Sequence, residues 1–276
     1  MEAKELKNLV KEKYGEIANQ SKSQNETSCC GTSSCCGVDY TIFSESYEKL
    51  EGYNPDADLG LGCGLPTEFA HIQAGNTVVD LGSGAGNDCF VARKLVGETG
   101  KVIGIDMTEA MINKARVNTE KLGFTNVEFR LGDIEKMPIT ANKADVVISN
   151  CVLNLVPDKP KAFSEIYRIL KPGGHLSVSD VVIEGELPAN IKQAAEMYAG
   201  CVSGAIPLDE YLRIMEEAGL KNIDIQKMKP IHIPDDILQK YLTTEALNEF
   251  KAANVGIFSI TVYAVKPSEC GPNCNC

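Results

Sequence analysis

The sequence of 276 residues predicts an α/β fold built on a doubly wound parallel sheet. Three observations predict it. Short apolar runs of strand length alternate along the chain with longer segments that suit helices. Glycine-rich turns join these segments, and several of the apolar runs end in an acid or an amide side chain. Strands and helices that alternate in this way form a parallel sheet with helices on both faces.

Residues 77–106 are the most regular unit of the chain, with the order strand, glycine loop, helix, strand. The first apolar run, residues 77–81, contains Asp80, and the second run, residues 102–105, is followed by Asp106. The loop after the first strand carries Gly82, Gly84 and Gly86. Glycines at this position let the backbone approach a ligand at the carboxyl end of the strand. The unit therefore predicts a βαβ crossover with a small-molecule site at its first turn.

The spacing of the loop glycines distinguishes between classes of nucleotide-binding protein. Dinucleotide-binding domains use G-x-G-x-x-G and Walker loops add a lysine, whereas this loop is G-x-G-x-G without that lysine. Asp80 precedes Gly82 by two residues. The acid and the loop together resemble motif I of the class I S-adenosylmethionine-dependent methyltransferases, which implies a Rossmann-like fold. The alternative is an ordinary tight turn between a strand and a helix.

The other predicted elements continue the alternation. Further strands are expected at residues 127–131, 144–149, 175–182, 222–229 and 256–265. Helices are expected at residues 4–19, 89–96, 108–121, 160–170 and 235–250, and in two pieces within residues 188–220. The sequence Pro172-Gly173-Gly174 is expected to end the helix at residues 160–170.

We divide the chain into four parts. Residues 1–40 form an N-terminal helix with a cysteine-rich segment, and residues 41–205 form the catalytic domain that binds S-adenosylmethionine. Residues 206–266 either finish the sheet or form a smaller C-terminal α+β lobe, and we choose the lobe. Residues 267–276 are a cysteine-rich tail.

Charge and hydropathy limit the partners of the chain. The net charge of −11 argues against binding to a phosphate backbone, so we expect no nucleic-acid partner. No apolar run reaches the length of about 18 residues that a membrane-spanning helix needs, so we expect no membrane partner. The N-terminal stretch is charged throughout and lacks the apolar core of a signal peptide. We expect a cytoplasmic protein, and the lack of a heptad pattern favours a monomer.

Polar side chains lie at the ends of four predicted strands. They are Asp80, Asp106, Asp133 and Asn150. Ligands of doubly wound sheets bind outside the carboxyl ends of the strands, so we expect these side chains to line one crevice. The three histidines are His71, His175 and His232. None of them adjoins these strand ends, so we expect each to pack in the structure or to lie on its surface, without acting as a general base.

The chain has eleven cysteines, which is unusual for a protein of a reducing compartment. Such cysteines are expected to bind metals or to act in catalysis before they form disulfides. Cys63 lies in a glycine-rich loop, where we expect its thiol to be accessible. Cys151 follows Asn150 at a strand end, and Cys201 follows Gly200.

Thiolates are soft ligands that prefer soft centres. Three thiolates from Cys63, Cys151 and Cys201 would hold a thiophilic atom beside the crevice, and their wide separation excludes a local zinc knuckle. The alternative for each of them is a small buried hydrophobic residue. We assign that role to Cys89, inside the first crossover helix.

Several motifs together resemble the arsenite S-adenosylmethionine methyltransferases of the ArsM type. The matching pieces are GCGLP at 62–66, DLGSGAGNDC at 80–89, GIDMT at 104–108, SNCVLNLVPDK at 149–159, LKPGG at 170–174 and GC at 200–201. Motif I is shared with many methyltransferases, whereas GIDMT and NCVLNLVPDK are far more specific. The resemblance covers about residues 40–205.

The resemblance implies that Cys63, Cys151 and Cys201 hold trivalent arsenic, which enters as arsenite or its thiol complexes. It also implies that arsenic attacks the donor methyl group through its own lone pair, in a reaction that detoxifies arsenic. A fourth cysteine of the N-terminal segment would act in a disulfide relay, with an external thiol reductant of the glutathione or thioredoxin type. Its four candidates are Cys29, Cys30, Cys35 and Cys36. We favour Cys29 or Cys30, and assign Cys30.

The resemblance also implies residues for S-adenosylmethionine. Asp80, Gly82 and Gly84 would surround the methionine moiety. Asp106 would bind the ribose, and Met107 would lie under the adenine. The remaining residues of the predicted site are Asp133, Ile134 and Glu135 at the adenine edge and Asn150 in the crevice. Leu61 stands where relatives have a tyrosine, which removes one aromatic contact to the donor.

Two other functions are compatible with parts of the sequence. One is a methyltransferase for another small-molecule acceptor, in which the cysteines are incidental. The other is a non-enzymatic, thiol-based metalloid-binding protein. Motif I argues against the second of these, and the cysteines within matching motifs argue against the first.

Overall fold

The computed structural model describes residues 3–20, 45–185, 204–231, 243, 245 and 256–268. Its strands are β1 (Thr77–Leu81), β2 (Lys101–Asp106), β3 (Val127–Leu131), β4 (Ala144–Asn150), β5 (Leu170–Glu184), β6 (Lys221–Pro230) and β7 (Gly256–Val265). Its α-helices are α1 (Ala3–Ala18), α2 (Pro66–Phe69), α3 (Asn87–Val96), α4 (Glu109–Leu122), α5 (Lys159–Ile169) and α6 (Leu208–Glu217). A short 3₁₀ helix spans Leu153–Leu155.

The described strands form one seven-stranded sheet in the order β3-β2-β1-β4-β5-β7-β6. The first five strands of this order pair in parallel, and β7 runs antiparallel to both of its neighbours. The chain reverses its direction across the sheet between β1 and β4, which creates a crevice at their carboxyl ends. The predicted α/β fold is confirmed, and the predicted crevice lies at this switch point.

Alternating side chains of the strands supply two hydrophobic cores, one on each face of the sheet. Val79 of β1 belongs to the cluster that packs against α5 and α6. Its neighbour Val78 belongs to the cluster that packs against α1, α3 and α4. Side chains buried this fully each stabilise the fold by about 1.5–3 kcal/mol. The sheet is therefore covered on both faces, as its near-continuous apolar strands require.

Helix α1 packs against α4 and forms part of the second core. Its residue Ile17 is buried there, and the Lys114 ammonium of α4 donates to the carbonyl oxygens of Ala18 and Gln20. Lysine at a helix C-terminus satisfies carbonyl groups that have no partner within the helix. These contacts fix the N-terminal helix on the catalytic domain.

The C-terminal strands extend the main sheet. Strand β7 pairs with β5 over ten residue pairs, and β6 pairs with β7. The C-terminal α+β lobe that we chose is therefore wrong for these strands, and the alternative that they finish the sheet is correct. The physical reason is that β5 exposes an edge whose backbone groups need a partner, and β7 supplies it.

The Pro172-Gly173-Gly174 sequence, which was expected to end the helix at residues 160–170, lies within β5. Helix α5 ends at Ile169, and β5 begins at Leu170. Gly173 has a φ of +78°, which glycine adopts at little cost, and the pairing of β4 with β5 shifts register nearby. The amide of Gly173 donates to the carbonyl oxygen of Lys266, so the bulged segment stays paired with the end of β7.

Several predicted features lie outside the described residues. These are the cysteine-rich segment, most of the first helical piece within residues 188–220, the helix at residues 235–250 and the tail. Across the described ranges, no helix has both the length and the apolar character to cross a membrane.

If the C-terminal strands belong to the main sheet, they should unfold together with it, and a substitution of Lys266 tests this. The Lys266 ammonium is buried and donates to the carbonyl oxygens of Tyr167 and Leu170 at the end of α5. Lys266→Met removes both bonds and a third one to the Asn142 side-chain oxygen, so we expect the free energy of unfolding to fall by about 1–3 kcal/mol in a single urea transition. Lys229→Met, on the exposed side of β6, is the control and should change it by less than about 0.5 kcal/mol. Two separate transitions, or an unchanged midpoint in Lys266→Met, would contradict the single unit.

Candidate functional site

A cavity that opens to solvent lies at the carboxyl ends of β1, β2 and β4. Its wall includes eight of the nine residues predicted to bind the donor: Asp80, Gly82, Gly84, Asp106, Met107, Asp133, Ile134 and Asn150. Cys151 also lines it. Ligand pockets of α/β sheets occur at this position, so the cavity is the candidate active site.

The glycine loop after β1 forms the floor of the cavity. Gly82 has a φ of +66°, and a Cβ atom there would lie 2.4 Å from a methyl carbon of Val152. Gly84 has a φ of +51°, and its amide donates to Asp106 at 3.0 Å. These positions require glycine because of backbone conformation and, at Gly82, close packing. The loop spacing seen in the sequence thus has a steric cause.

Asp106 holds the loop to the end of β2. One carboxylate oxygen accepts from the Gly84 amide, and the other accepts from the Thr108 amide at 2.8 Å. Burial raises the pKa of Asp106 above its ordinary value, although these backbone hydrogen bonds act in the opposite direction. The residue lies at the position predicted for a ribose contact, and it also orders the loop.

Helix α1 closes one side of the cavity, which the sequence did not predict. Lys7, Val10 and Tyr14 of this helix line the wall. The Lys7 ammonium lies 2.6 Å from a carboxylate oxygen of Asp133 and 2.5 Å from one of Glu135. The amphipathic pattern of the helix was the available signal, because it showed an apolar face that needed a partner.

Asp133 and Glu135 differ in their surroundings. Burial acts to raise the pKa of Asp133. Two hydrogen bonds, one from the Lys7 ammonium and one from the Glu135 amide, lower it, and the net shift of the pKa is downward. Glu135 is buried outside the cavity wall, and its second oxygen accepts from the Asp158 amide at 3.0 Å. Of the two acids predicted at the adenine edge, Asp133 faces the cavity and Glu135 holds the surrounding backbone.

Two buried acids lie close together at the first turn. Asp80 is 2% exposed and accepts a hydrogen bond from the Cys89 thiol at 3.2 Å. Burial and the neighbouring Asp88 raise the pKa of Asp80 well above its ordinary value. Burial raises the pKa of Asp88 to about 6, although hydrogen bonds from Asn150 and Tyr47 oppose the shift. A cation in the cavity would stabilise both carboxylates.

Asp88 and Cys89 bear on two sequence predictions. Asp88 lines the cavity but was not among the residues predicted to bind the donor. Its position two residues after Gly86 of the glycine loop could have indicated it. Cys89 is fully buried in the second core, as predicted for a small hydrophobic residue. Its thiol also donates a hydrogen bond to Asp80, which the hydropathy pattern did not predict.

Asn150 binds the loop that carries Cys63. Its side-chain oxygen accepts from the Cys63 amide at 3.0 Å and from the Gly64 amide at 3.3 Å. Its side-chain nitrogen donates to the Gly64 carbonyl oxygen at 2.8 Å. A Cβ atom on Gly62 would lie 2.5 Å from that nitrogen. The glycines beside Cys63 therefore let the loop pass directly over the end of β4.

The prediction that the Cys63 thiol is accessible is wrong. Cys63 is 1% exposed, because its loop is packed between β4 and the C-terminal strands. The Ser259 hydroxyl of β7 donates to the Cys63 carbonyl oxygen at 2.5 Å. A Cβ atom on Gly64 would lie 2.6 Å from the Ser179 hydroxyl of β5. The glycines thus allow the loop to pack closely, and they do not expose the Cys63 thiol.

Cys151 has an unusual backbone conformation at the cavity wall. Its φ is +60°, which costs a residue with a side chain about 1–3 kcal/mol. Its amide donates to the Ser179 carbonyl oxygen at 2.7 Å, which holds the conformation. Ser179 therefore contacts both the Cys151 backbone and the Cys63 loop, and the two cysteines lie beside the same stretch of β5.

Tyr211 of α6 is fully buried beneath the sheet. Burial raises the pKa of its hydroxyl well above the ordinary value. Negative charge on Asp180, Cys63 and Cys151 raises the pKa further. The hydroxyl donates to Asp180 at 3.3 Å. Burial also raises the pKa of Asp180 to about 7, with Lys159 acting in the opposite direction. Sequence reasoning missed Tyr211 and Asp180, and an acid within the apolar run of β5 was the available signal.

The other predicted residues fall into two groups. Cys201, Cys30 and His232 lie outside the described residues. His71 and His175 pack around the Tyr263 ring, with ring centroids 5.4 Å and 5.2 Å from it, near the amino ends of the parallel strands and away from the cavity. The predicted packing role of these two histidines is confirmed. In the described ranges, no three His, Cys, Asp or Glu side chains are grouped to hold a metal ion.

The methyltransferase domain family model matches residues 72–219 of the chain. Among curated proteins, the chain is 43% identical to the arsenite methyltransferase of Halobacterium salinarum over 236 residues, covering 80% of this chain and 59% of that protein. It is 33% identical to the arsenite methyltransferase of Aquipseudomonas alcaligenes over 240 residues, covering 84% of this chain and 67% of that protein. The chain thus spans about three fifths to two thirds of the length of these relatives.

A solved structure is similar over the same region. The arsenic(III) S-adenosylmethionine methyltransferase of Chlamydomonas reinhardtii superposes with a TM-score of 0.64 at 34% identity. The match covers 75% of this chain and 68% of that chain. By the domain match, these identities and the shared fold, the chain belongs to the arsenite methyltransferase family of methyltransferase-domain proteins.

Proposed function

We propose that this chain transfers a methyl group from S-adenosylmethionine to trivalent arsenic that is bound by cysteine thiolates. The observation that supports it most is the contact between the Cys63 loop and the end of β4. Cys63 and Asn150 are 87 residues apart, yet the Cys63 amide lies 3.0 Å from the Asn150 side chain. Cys151 follows Asn150 directly and lines the donor cavity. This contact supports an arsenic site that includes Cys63 and Cys151 beside the cavity.

The cavity wall fits S-adenosylmethionine. Asp80 and Asp88 form a buried acidic pair that suits the amino group of a methionine moiety. Two buried polar atoms of the wall, the Ser83 hydroxyl and the Asn87 side-chain oxygen, make no hydrogen bond within the described structure. Such atoms need a partner, and a polar ligand would supply it. When bound, S-adenosylmethionine supplies a methyl group attached to a positively charged sulfur.

Arsenic needs little from the protein except a soft ligand set and a fixed position. We infer that Cys63 and Cys151 hold it, with Cys201 as the third ligand that the resemblance implies. Trivalent arsenic carries a lone pair that can accept the methyl group, so no proton has to be removed by a general base. The absence of His71 and His175 from the cavity wall agrees with this chemistry.

A reductant must complete the cycle. Methylation takes arsenic formally from the trivalent to the pentavalent state, a loss of two electrons. A pair of thiols returns those electrons and becomes a disulfide. We infer that Cys30 takes part in this relay, and that a thiol of the glutathione or thioredoxin type reduces the disulfide. The substrate is arsenite or its thiol complexes, and the role is arsenic detoxification by a cytoplasmic monomer.

Methyl transfer from labelled S-adenosylmethionine to arsenite tests the proposal. With a thiol reductant present, we expect label in small arsenic species for the wild-type chain. Cys63→Ser, Cys151→Ser and Cys201→Ser should each lose at least about a hundredfold in rate, because a serine hydroxyl is a hard, protonated group. Donor binding, measured by calorimetry, should persist in all three variants.

Cys89→Ser is the matched control, since it changes a buried cysteine outside the proposed arsenic site and keeps a donor to Asp80. It should still bind arsenite with affinity within about threefold of wild type. Label found only in organic acceptors would favour a different methyltransferase. Arsenite binding without any methyl transfer would favour a metalloid-binding protein.

The Asp88 carboxyl predicts a pH dependence of donor binding. Its pKa is about 6, so it is ionised above that pH and neutral below it. A positively charged amino group binds the ionised form, so affinity for S-adenosylhomocysteine should weaken by up to about tenfold per pH unit as the pH falls below 6. Calorimetry between pH 5 and pH 8 measures this slope. Asp88→Asn should bind more weakly at pH 8 and with a shallower slope, and an equal slope in the variant would exclude Asp88 as the group responsible.

A further inference from the structure

Tyr47 lies between the donor cavity and the Cys63 loop, and no sequence motif points to it. It is buried, and its hydroxyl lies within hydrogen-bonding distance of Asp88, Asn150 and the Gly64 carbonyl group. We propose that Tyr47 and Asn150 are positioning residues that couple occupancy of the donor site to the placement of Cys63. This inference rests on the proposed function and names a means by which its two binding sites communicate.

The donor end of this connection is Asp88. The Tyr47 hydroxyl lies 3.0 Å and 2.9 Å from the two carboxylate oxygens of Asp88. The Asn150 side-chain nitrogen lies 3.2 Å from one of them. Asp88 lines the cavity beside Asp80. A cationic group bound there reduces the negative charge of the carboxylate to which Tyr47 and Asn150 donate hydrogen bonds.

The arsenic end of the connection is the backbone on both sides of Cys63. The Asn150 oxygen accepts from the amides of Cys63 and Gly64, and its nitrogen donates to the Gly64 carbonyl oxygen. The Tyr47 hydroxyl lies 3.2 Å from that same carbonyl oxygen. The loop cannot move away from Asn150 without breaking several buried hydrogen bonds, each of which is costly to leave unmade.

A count of protons shows why the two ends are linked. Tyr47 has one hydroxyl proton and Asn150 has two amide protons. These three protons face two carboxylate oxygens, the Gly64 carbonyl oxygen and the Tyr47 oxygen. The acceptors outnumber the donors, and the single Tyr47 proton can be given either to Asp88 or to the Gly64 carbonyl oxygen, but not fully to both. A cation that neutralises Asp88 releases a proton donor towards the Cys63 loop and secures it.

The consequence is positive coupling between the two ligands. A donor molecule that binds at Asp88 stabilises the Cys63 position that arsenic needs, and arsenic bound to Cys63 stabilises the arrangement that the donor needs. Linkage makes the effect equal in both directions. The enzyme would then bind arsenic most tightly when its donor site is occupied.

Calorimetry with S-adenosylhomocysteine and arsenite tests the coupling in the full chain. In the wild type, saturating arsenite should tighten S-adenosylhomocysteine binding by at least about fivefold, and the reverse titration should give the same factor. In Tyr47→Phe the factor should fall below about twofold, while each ligand still binds alone. The phenyl ring retains the packing of Tyr47 against Leu65 and Val91.

Two further variants make the result specific. Tyr263→Phe removes a tyrosine hydroxyl of β7 that lies outside the cavity wall, and it should keep the wild-type factor. Asp88→Asn keeps the side-chain shape, removes a buried charge and should also lower the factor below about twofold, even if Tyr47→Phe does not fold. Thermal unfolding of each variant shows whether it is folded.

The outcomes separate this inference from the proposed function. Both ligands binding to wild type without coupling, or coupling unchanged in Tyr47→Phe and Asp88→Asn, would overturn the inference alone, since labelled methyl transfer would still proceed. No binding of arsenite by wild type would overturn the proposed function and the inference with it.

Discussion

The hydrogen bonds between Asn150 and the loop at Cys63 are the contact on which the site depends. Asn150 ends the strand beside the sheet's switch point, so its side chain reaches the donor cavity. The same side chain accepts from the Cys63 amide and is followed in sequence by Cys151. A single amide side chain therefore lines the cavity and holds the loop of one predicted arsenic ligand, and a second predicted ligand follows it directly in the chain. The glycines around Cys63 exist in this arrangement because any side chain there would collide with Asn150 or Ser179.

The sheet makes this contact possible through its C-terminal strands. Strand β7 pairs with β5 and places Ser259 against the Cys63 carbonyl oxygen. Because β7 and β6 complete the main sheet, the Cys63 loop is enclosed from both sides and its cysteine is buried. In the proposed arsenic site, this burial would keep water from the Cys63 thiolate and strengthen the charge interactions around it. The cost of holding buried acids and a left-handed Cys151 is offset by the packing of the two cores.

Local patterns in the sequence were enough for the fold and for most of the residues that line the cavity. The strands from β1 to β4, the glycine loop, Asp80 and Asp106 were all predictable, because parallel sheets place strand ends together and a tight turn requires glycine. The burial of Cys63 was not predictable, since it depends on Ser259, which is 196 residues away in the chain. Tyr47 and Asp88 meet across 41 residues, and Tyr211 and Asp180 across 31, without any periodic pattern that would mark them. Contacts of this kind arise from how elements pack, which the sequence does not encode locally.

The central claim is that cysteines distant in the chain bind one arsenic atom beside the donor cavity. X-ray absorption spectroscopy at the arsenic edge, on the arsenite-bound full chain, tests it most directly. The account predicts three sulfur neighbours for arsenic in the wild type, and one fewer in Cys63→Ser and in Cys151→Ser. An arsenic atom surrounded by oxygen in the wild type, or three sulfur neighbours retained in both variants, would contradict it.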